Sequence, residues 1–154
     1  MHVYSKEDLR CYIEGATLLA TGGGGAKQAA HNLLDKSGVE NVYGIGSSLV
    51  PETMQIATAA QVCAPSAIWA NQDYRSALNS YNRLIPEKHV PRGVLPVEVG
   101  AVNGIVPAII SALSNAYLIL DSQIDRSMPE MDMGHSTASG ILFPTVPAVY
   151  GVSR

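Results

Sequence analysis

The chain has few of the residues that mark several common classes of protein. Its two cysteines, Cys11 and Cys63, form no C-x-x-C pair, so we expect neither a disulfide framework nor a zinc or dithiol centre. Its ten lysines and arginines are scattered and the formal net charge is -3, which offers a phosphate backbone no basic surface. We therefore expect no nucleic-acid partner.

Long apolar segments are also missing. The longest one, residues 104–113, contains Pro107 and has about half of the ~20 residues that a membrane-spanning helix needs. Charged residues begin at Lys6, which leaves no room for the apolar stretch of a signal peptide. The sequence predicts a cytoplasmic protein that neither spans nor binds a membrane.

What the chain does contain is the composition of a folded domain. Hydrophobic residues make up 47% of the 154 residues, enough for one compact domain to bury a core. Apolar residues at helical spacing predict helices over residues 6–20 and 26–36. A third helix is predicted to be capped by Asn71 or Asp73 and to end before Pro86.

Alternating apolar and polar residues predict a strand over residues 54–62, with a shorter strand over residues 42–45. The last apolar segment, residues 141–152, is broken by prolines and glycines and has no capped helix to organise it. We predict that a further domain or another chain covers this tail.

The C-terminal half contains a strand, a helix and a strand over residues 94–99, 107–113 and 117–121, with Pro107 in the first turn of the helix. Such a βαβ unit places both strands in one sheet with their carboxyl ends at the same edge. We therefore predict an α/β fold in a single domain, with a mostly parallel sheet, a C-terminal βαβ unit and flanking helices.

Two carboxylates come at the carboxyl ends of the strands of this βαβ unit. Glu98 is near the end of the first strand and Asp121 ends the second, so we expect them within about 5 to 10 Å of each other. Open parallel sheets bind ligands at this edge. The pair is a candidate for acid/base catalysis or metal binding; the alternative for Glu98 is a solvated strand end.

Two glycine-containing segments can bring backbone close to a ligand. Residues 100–104, with Gly100 and Gly104, lead to a predicted helix start with free N–H groups, and Asn103 either orients a carbonyl or only caps the helix. The glycines of residues 22–25 precede a helix and form either an anion cradle or a simple turn between two helices.

The segment that follows the second strand is rich in ionisable side chains. Arg126 can hold a carboxylate or an imide through two parallel hydrogen bonds, with Asp125 and Glu130 as further candidates for substrate binding, or it can pair structurally with Asp125 or Glu130. Asp132 and His135 are weak candidates for metal ligands, and two residues do not define a site, so we predict no metal. The sequence does not identify a cofactor.

Three motifs follow one another along the chain: GATLLATGGGG at residues 15–25, LPVEVG with Asn103-Gly104 and Pro107 at residues 95–107, and Asp121 with Arg126 and Pro129-Glu130-Met131. Together they resemble the N-terminal domain of the S-methyl-thiohydantoin desulfurase-like proteins. Two positions depart from that pattern, because Ala101 replaces the second glycine of a pair and Gln123 stands near an expected acidic residue and glycine.

The resemblance implies an intracellular protein, associated with hydantoinase and oxoprolinase enzymes, that hydrolyses five-membered cyclic imides or their sulfur analogues. The site residues that it implies are Glu98, Asn103, Asp121, Arg126 and Glu130, with Gly23 and Gly24 in the turn that shapes the pocket. The family also has a C-terminal domain, which implies a second chain that supplies it, a homo-oligomer, or a stand-alone derivative.

We therefore predict a pocket-forming domain or subunit of a hydrolase-like enzyme whose substrate is a small cyclic amide, imide or thiohydantoin. In this interpretation Arg126 and residues 100–104 hold the ring, while Glu98 or Asp121 handles a proton or positions water. The alternative is a non-catalytic partner subunit of a hetero-oligomer that supplies an interface or ligand pocket. A third possibility is an anion or nucleotide binder that uses residues 22–25.

Overall fold

A five-stranded sheet lies at the centre of the computed structural model, which describes residues 1–60, 74–86, 90, 92–124 and 134–139. Its strands are β1 His2–Ser5, β2 Asn41–Ile45, β3 Gln55–Ala59, β4 Arg92–Pro96 and β5 Tyr117–Ile119. Their order is β1-β2-β5-β4-β3; β1 is antiparallel to β2, and all other neighbours are parallel. The predicted α/β fold with a mostly parallel sheet is confirmed.

The helices of the described part are α1 Lys6–Leu19, α2 Lys27–Ser37, α3 Tyr74–Leu84, α4 Ala101–Leu113 and the four-residue α5 His135–Ala138. The predicted helices over residues 6–20 and 26–36 are confirmed, and α2 is terminated by Gly38, whose φ of 68° suits a residue without a side chain. The predicted caps of α3, Asn71 and Asp73, lie outside the described residues. None of the described helices has the length and apolarity that a bilayer crossing requires.

Helix α4 is the centre of the core. It packs on β2, β3, β4 and β5 and is covered by α1, α2 and α3, so residues 101–111 are all buried. Fully buried Ile105 and Ile109 of α4 belong to one apolar cluster with Ile13 of α1 and with Leu33 and Leu34 of α2. Burying such a side chain contributes about 1.5 to 3 kcal/mol. Because α4 buries several of them between the sheet and the other helices, it holds the two layers together.

The βαβ unit is present, with β4 and β5 adjacent and parallel as predicted, but its helix begins earlier than predicted. The prediction that Pro107 occupies the first turn is wrong, because α4 starts at Ala101 and Pro107 lies inside it. A helical proline has no N–H to donate to the carbonyl four residues back, here that of Asn103. Residues 101–104 are therefore helix rather than loop.

Strand boundaries differ from the prediction at several ends. β3 ends at Ala59 and the side chain of Ile56 is 43% exposed, while Met54 is buried just before the strand. The predicted strands over residues 94–99 and 117–121 end at Pro96 and Ile119. β1 was not predicted, since its four residues show no apolar alternation. The apolar tail, residues 141–152, lies outside the described residues.

Candidate functional site

A cleft of about 350 Å³ opens at the carboxyl ends of the parallel strands. Its polar lining consists of Ser47, Asp121, Ser122, Gln123, His135 and Ser139, and its apolar lining of Val50, Ile56, Leu95 and Ile119. These residues come from the segments after β2 and β5, from β3, β4 and β5 themselves, and from the short helix α5. The position agrees with the rule that open parallel sheets bind ligands beyond the carboxyl ends of their strands.

The cleft lies on the sheet face that α4 does not cover. Successive side chains of a strand point to opposite faces. Val94 and Leu118 pack against the helical core, so their neighbours Leu95 and Ile119, which line the cleft, point the other way. The apolar floor of the cleft is thus the outer face of the sheet.

Asp121 comes two residues after Ile119, so strand alternation places it on the cleft face, and a change of register follows it. Continuing the pairing of Gly93 with Tyr117 would bring Ser122 opposite Glu98, but Glu98 pairs with Ile124, two residues further along. The extra residues form a bulge, which re-aims side chains at a sheet edge. The carboxylate of Asp121 is exposed and its Oδ1 accepts a hydrogen bond from the backbone N–H of Ser122 over 2.8 Å.

The short helix α5 is joined to the same bulge. The backbone N–H of His135 donates to the carbonyl of Gln123 over 2.9 Å. Gly134 packs on Gln123, since a Cβ at Gly134 would lie 3.2 Å from the Cβ of Gln123. His135 and Ser139 therefore line the cleft together with Ser47.

Glu98 lies on the other side of the sheet. Its side chain is 5% exposed, and its Oε1 accepts a hydrogen bond from Nδ2 of Asn103, which is 7% exposed, over 2.6 Å. Asn103 belongs to the first turn of α4, so this pair faces the helices. Glu98 does not line the cleft, and the expected shared hollow for Glu98 and Asp121 is not the cleft that the described residues form.

The turn over residues 22–25 caps α4. The carbonyl of Gly24 accepts hydrogen bonds from the N–H groups of Val102 and Asn103 over 2.9 and 3.1 Å. Two of the N–H groups that we expected to be free at this helix start are therefore occupied, and a backbone carbonyl stands where an anion was considered. The N–H of Gly23 donates to the carbonyl of Ala20 over 3.0 Å, at the end of α1.

Gly104 also has a packing role. A Cβ at this position would overlap the ring of Tyr12, so Gly104 lets α1 and α4 approach closely. Burial raises the pKa of the Tyr12 hydroxyl, although 39% of the residue as a whole remains exposed. The structure thus places Gly24, Gly100 and Gly104 in contacts between elements rather than on the cleft surface.

Four of the predicted site residues belong to the segment between Ile124 and Gly134. Asp125, Arg126, Glu130 and Asp132 lie outside the described residues. His135 lies in the cleft, and the described residues contain no group of three or more His, Cys, Asp or Glu placed to hold a metal ion.

The sequence interpretation missed Ser47, Gln123 and Ser139 as cleft residues. Ser47 follows the carboxyl end of β2, so the rule that selected Glu98 and Asp121 would also have selected it. In the sequence Gln123 stands out only as a departure from a family pattern. Ser139 had no local signal, because its place depends on how residues 134–139 return to the bulge.

The fold and the cleft define an α/β domain with its candidate site at the carboxyl edge of a parallel sheet. Within that class, the chain belongs to the S-Me-THD-like N-terminal domain family, whose model matches residues 7–151. This match confirms the resemblance read from the three motifs.

One solved structure, a protein from Chromobacterium violaceum, has the same fold with a TM-score of 0.80 and 19% sequence identity. The match covers 91% of this chain but 40% of that one, so the chain spans less than half the length of its structural neighbour. A comparison with the curated proteins gives no match.

Proposed function

We propose that this domain forms a binding pocket for a small cyclic amide, imide or thiohydantoin in a hydrolase-like protein. The observation that carries the proposal is the cleft at the carboxyl edge of the sheet, where an apolar floor meets a rim of carboxylate, amide, hydroxyl and imidazole groups. Its volume of about 350 Å³ lies at the small end of the range for ligand pockets, which favours a small ligand.

The chemistry of the lining suits a flat five-membered ring of this class. Such a ring presents apolar faces, with N–H donors and carbonyl or thiocarbonyl acceptors on its edge. Leu95 and Ile119 can contact a ring face, while the exposed Asp121 carboxylate accepts a ring N–H and the exposed Ser47 hydroxyl donates to a ring carbonyl. The family description, which refers to S-Me-THD, supports the same class of ligand.

Hydrolysis of such a ring needs an activated water and a proton acceptor. Asp121 and His135 are the titratable residues of the described lining, and either can hold a water or take its proton within hydrogen-bond reach. Arg126, predicted from the sequence to clamp the imide, follows the bulge in the chain. In this proposal the domain supplies ring binding and proton handling from the segment after β5.

A second candidate is a non-catalytic partner that supplies only part of the pocket. The 40% coverage of the structural neighbour and the family description as an N-terminal domain favour it. Turnover by a mixture with a second polypeptide, and no turnover by this chain alone, would identify this candidate.

Calorimetric titration with hydantoin tests the pocket directly. We expect saturable binding by the wild type and roughly tenfold weaker binding by Asp121→Asn, which loses the charged acceptor. Asp35→Asn removes the same charge from the surface of α2 and is the matched control. 1,3-Dimethylhydantoin keeps the ring but has no N–H for Asp121 to accept. If hydantoin and 1,3-dimethylhydantoin bind with the same affinity, and Asp121→Asn changes neither affinity, the proposal is contradicted.

A further inference from the structure

Glu98 lies outside the cleft, yet the loop that carries it is joined to two cleft residues. Glu98 pairs with Ile124, and the N–H of Gln123 donates to the carbonyl of Pro96 over 3.2 Å. The carbonyl of Gln123 in turn accepts the N–H of His135 over 2.9 Å. The positions of Gln123 and His135 in the cleft therefore depend on Pro96, the last residue of β4, and on the loop that follows it.

The side chain of Glu98 attaches that loop to α4. Its hydrogen bond from Asn103 is 2.6 Å long and is formed between two buried side chains, and its Oε1 also lies beside Gly24. A hydrogen bond between two buried side chains is costly to leave unmade, because a group that loses its partner there has no water to replace it. The loop is thus held by α4 on the helical side and bonded to the bulge on the cleft side.

We propose that Glu98 and Asn103 are positioning residues for the cleft. Their hydrogen bond holds the loop that pairs with Ile124, and this pairing fixes the bulge that carries Gln123 and, through the Gln123 carbonyl, His135. The proposal rests on the proposed function of the cleft. It differs from a proton-transfer role for Glu98, because positioning requires a hydrogen-bond acceptor at this place and not a titrating acid.

Two substitutions separate these roles. Glu98→Gln keeps an oxygen acceptor for Asn103 and removes the charge, while Glu98→Met removes the acceptor at similar length. We expect Glu98→Met to weaken hydantoin binding roughly tenfold and Glu98→Gln to stay within about twofold of the wild type. Glu7→Met, on the exposed surface of α1, is the matched control and should leave binding unchanged.

Amide hydrogen exchange, followed by NMR without ligand, provides a second readout. In Glu98→Met the amides of Gln123 and His135 should exchange faster, because their hydrogen bonds depend on the loop after β4. The amide of Leu120, which donates to the carbonyl of Ile45 over 2.9 Å, lies on the β2 side and should remain protected. Asn103→Ala, which removes the donor of the same bond, replaces Glu98→Met if that variant does not fold.

The outcomes are distinguishable. Suppose that Glu98→Gln weakens hydantoin binding as much as Glu98→Met does, and that amide exchange is unchanged in both variants. The charge of Glu98 would then act on the ligand, and the positioning role would be wrong. If the wild type binds no hydantoin, the proposed function of the cleft fails. The exchange measurement then still decides whether Glu98 holds the bulge.

Discussion

Gly24 and Gly100 pack backbone against backbone: a Cβ on Gly24 would lie 2.5 Å from the Cα of Gly100, and one on Gly100 would lie 2.6 Å from the Cα of Gly24. Gly24 also has a φ of +67°, a backbone conformation that residues with a side chain rarely adopt. The contact joins the turn between α1 and α2 to the start of α4, beside Glu98. Both glycines are required for α4 to receive its cap from the Gly24 carbonyl.

Gly24→Ala should therefore destabilise the domain by more than about 2 kcal/mol, since the methyl group adds overlap to backbone strain. Urea denaturation followed by circular dichroism measures the change. Gly15→Ala is the control, because Gly15 lies within α1 with nothing near its Cβ position, and it should stabilise the domain by about 0.5 to 1 kcal/mol. Equal stability of the two variants would contradict this account of Gly24.

Arg92 connects the carboxyl ends of two helices. It is 8% exposed, donates to the carbonyl of Ser114 at the end of α4 and, over 3.5 Å, to that of Ile85 after α3, and lies over the ring of Tyr81. Its charge also faces the negative ends of both helix dipoles.

Arg92→Met should cost about 2 to 4 kcal/mol of unfolding free energy, because it leaves buried carbonyls without donors. Arg10→Met removes an exposed ion pair with Asp35 and should cost at most about 1 kcal/mol. Thermal or urea unfolding of both variants gives the comparison. A cost for Arg92→Met no greater than that for Arg10→Met would show that the helix-end contacts contribute little.

Glu14 should make the free energy of unfolding depend on pH in the acid range. Hydrogen bonds from Lys27 and then His31 hold the pKa of this carboxyl below its usual value of 4.5. The stabilisation is present above the unfolded-state pKa and is lost as the pH falls through the lower folded-state pKa. Urea unfolding from about pH 7 down to about pH 3 should show Glu14→Gln less stable than the wild type at neutral pH, with the difference vanishing in acid. A difference that persists unchanged at the acid end would contradict this linkage.

Tyr12 should make the free energy of unfolding fall as the pH rises in the alkaline range. Burial raises its pKa above the usual 10.0, so the folded state favours the neutral hydroxyl. This stabilisation is present below the unfolded-state pKa and is lost as the pH rises through the folded-state pKa. Tyr12→Phe keeps the ring against Gly104 and removes the ionisation, so it should lose less stability than the wild type above about pH 10. Identical alkaline unfolding profiles would refute this role.

Much of the fold was predictable because its signals are local. The helical spacing of Ala29, Ala30, Leu33 and Leu34 predicted the buried face of α2, and all four side chains are buried. The βαβ unit was also predicted correctly, since parallel neighbours need a crossover helix. The start of α4 was not, because the acceptor that allows it to begin at Ala101 comes from Gly24, far away in the chain.

The candidate site was predictable in part. The edge of the sheet followed from the βαβ pattern, and Asp121 lies in the cleft at that edge. The separation of Glu98 from Asp121 could not be read from spacing, because both follow adjacent parallel strands. The register between β4 and β5 puts Asp121 on the same face as Ile119 and Glu98 on the same face as Val94, and this register has no local sequence signal.

Periodicity and turn residues alone thus specified the helices, the βαβ unit and the edge at which polar side chains accumulate, because each depends on contacts within a few residues. The faces on which Glu98 and Asp121 lie, and the cap that Gly24 provides for α4, depended on the folded chain. These features arise where segments distant in sequence meet, and backbone packing and register there are set by the whole sheet and its helices.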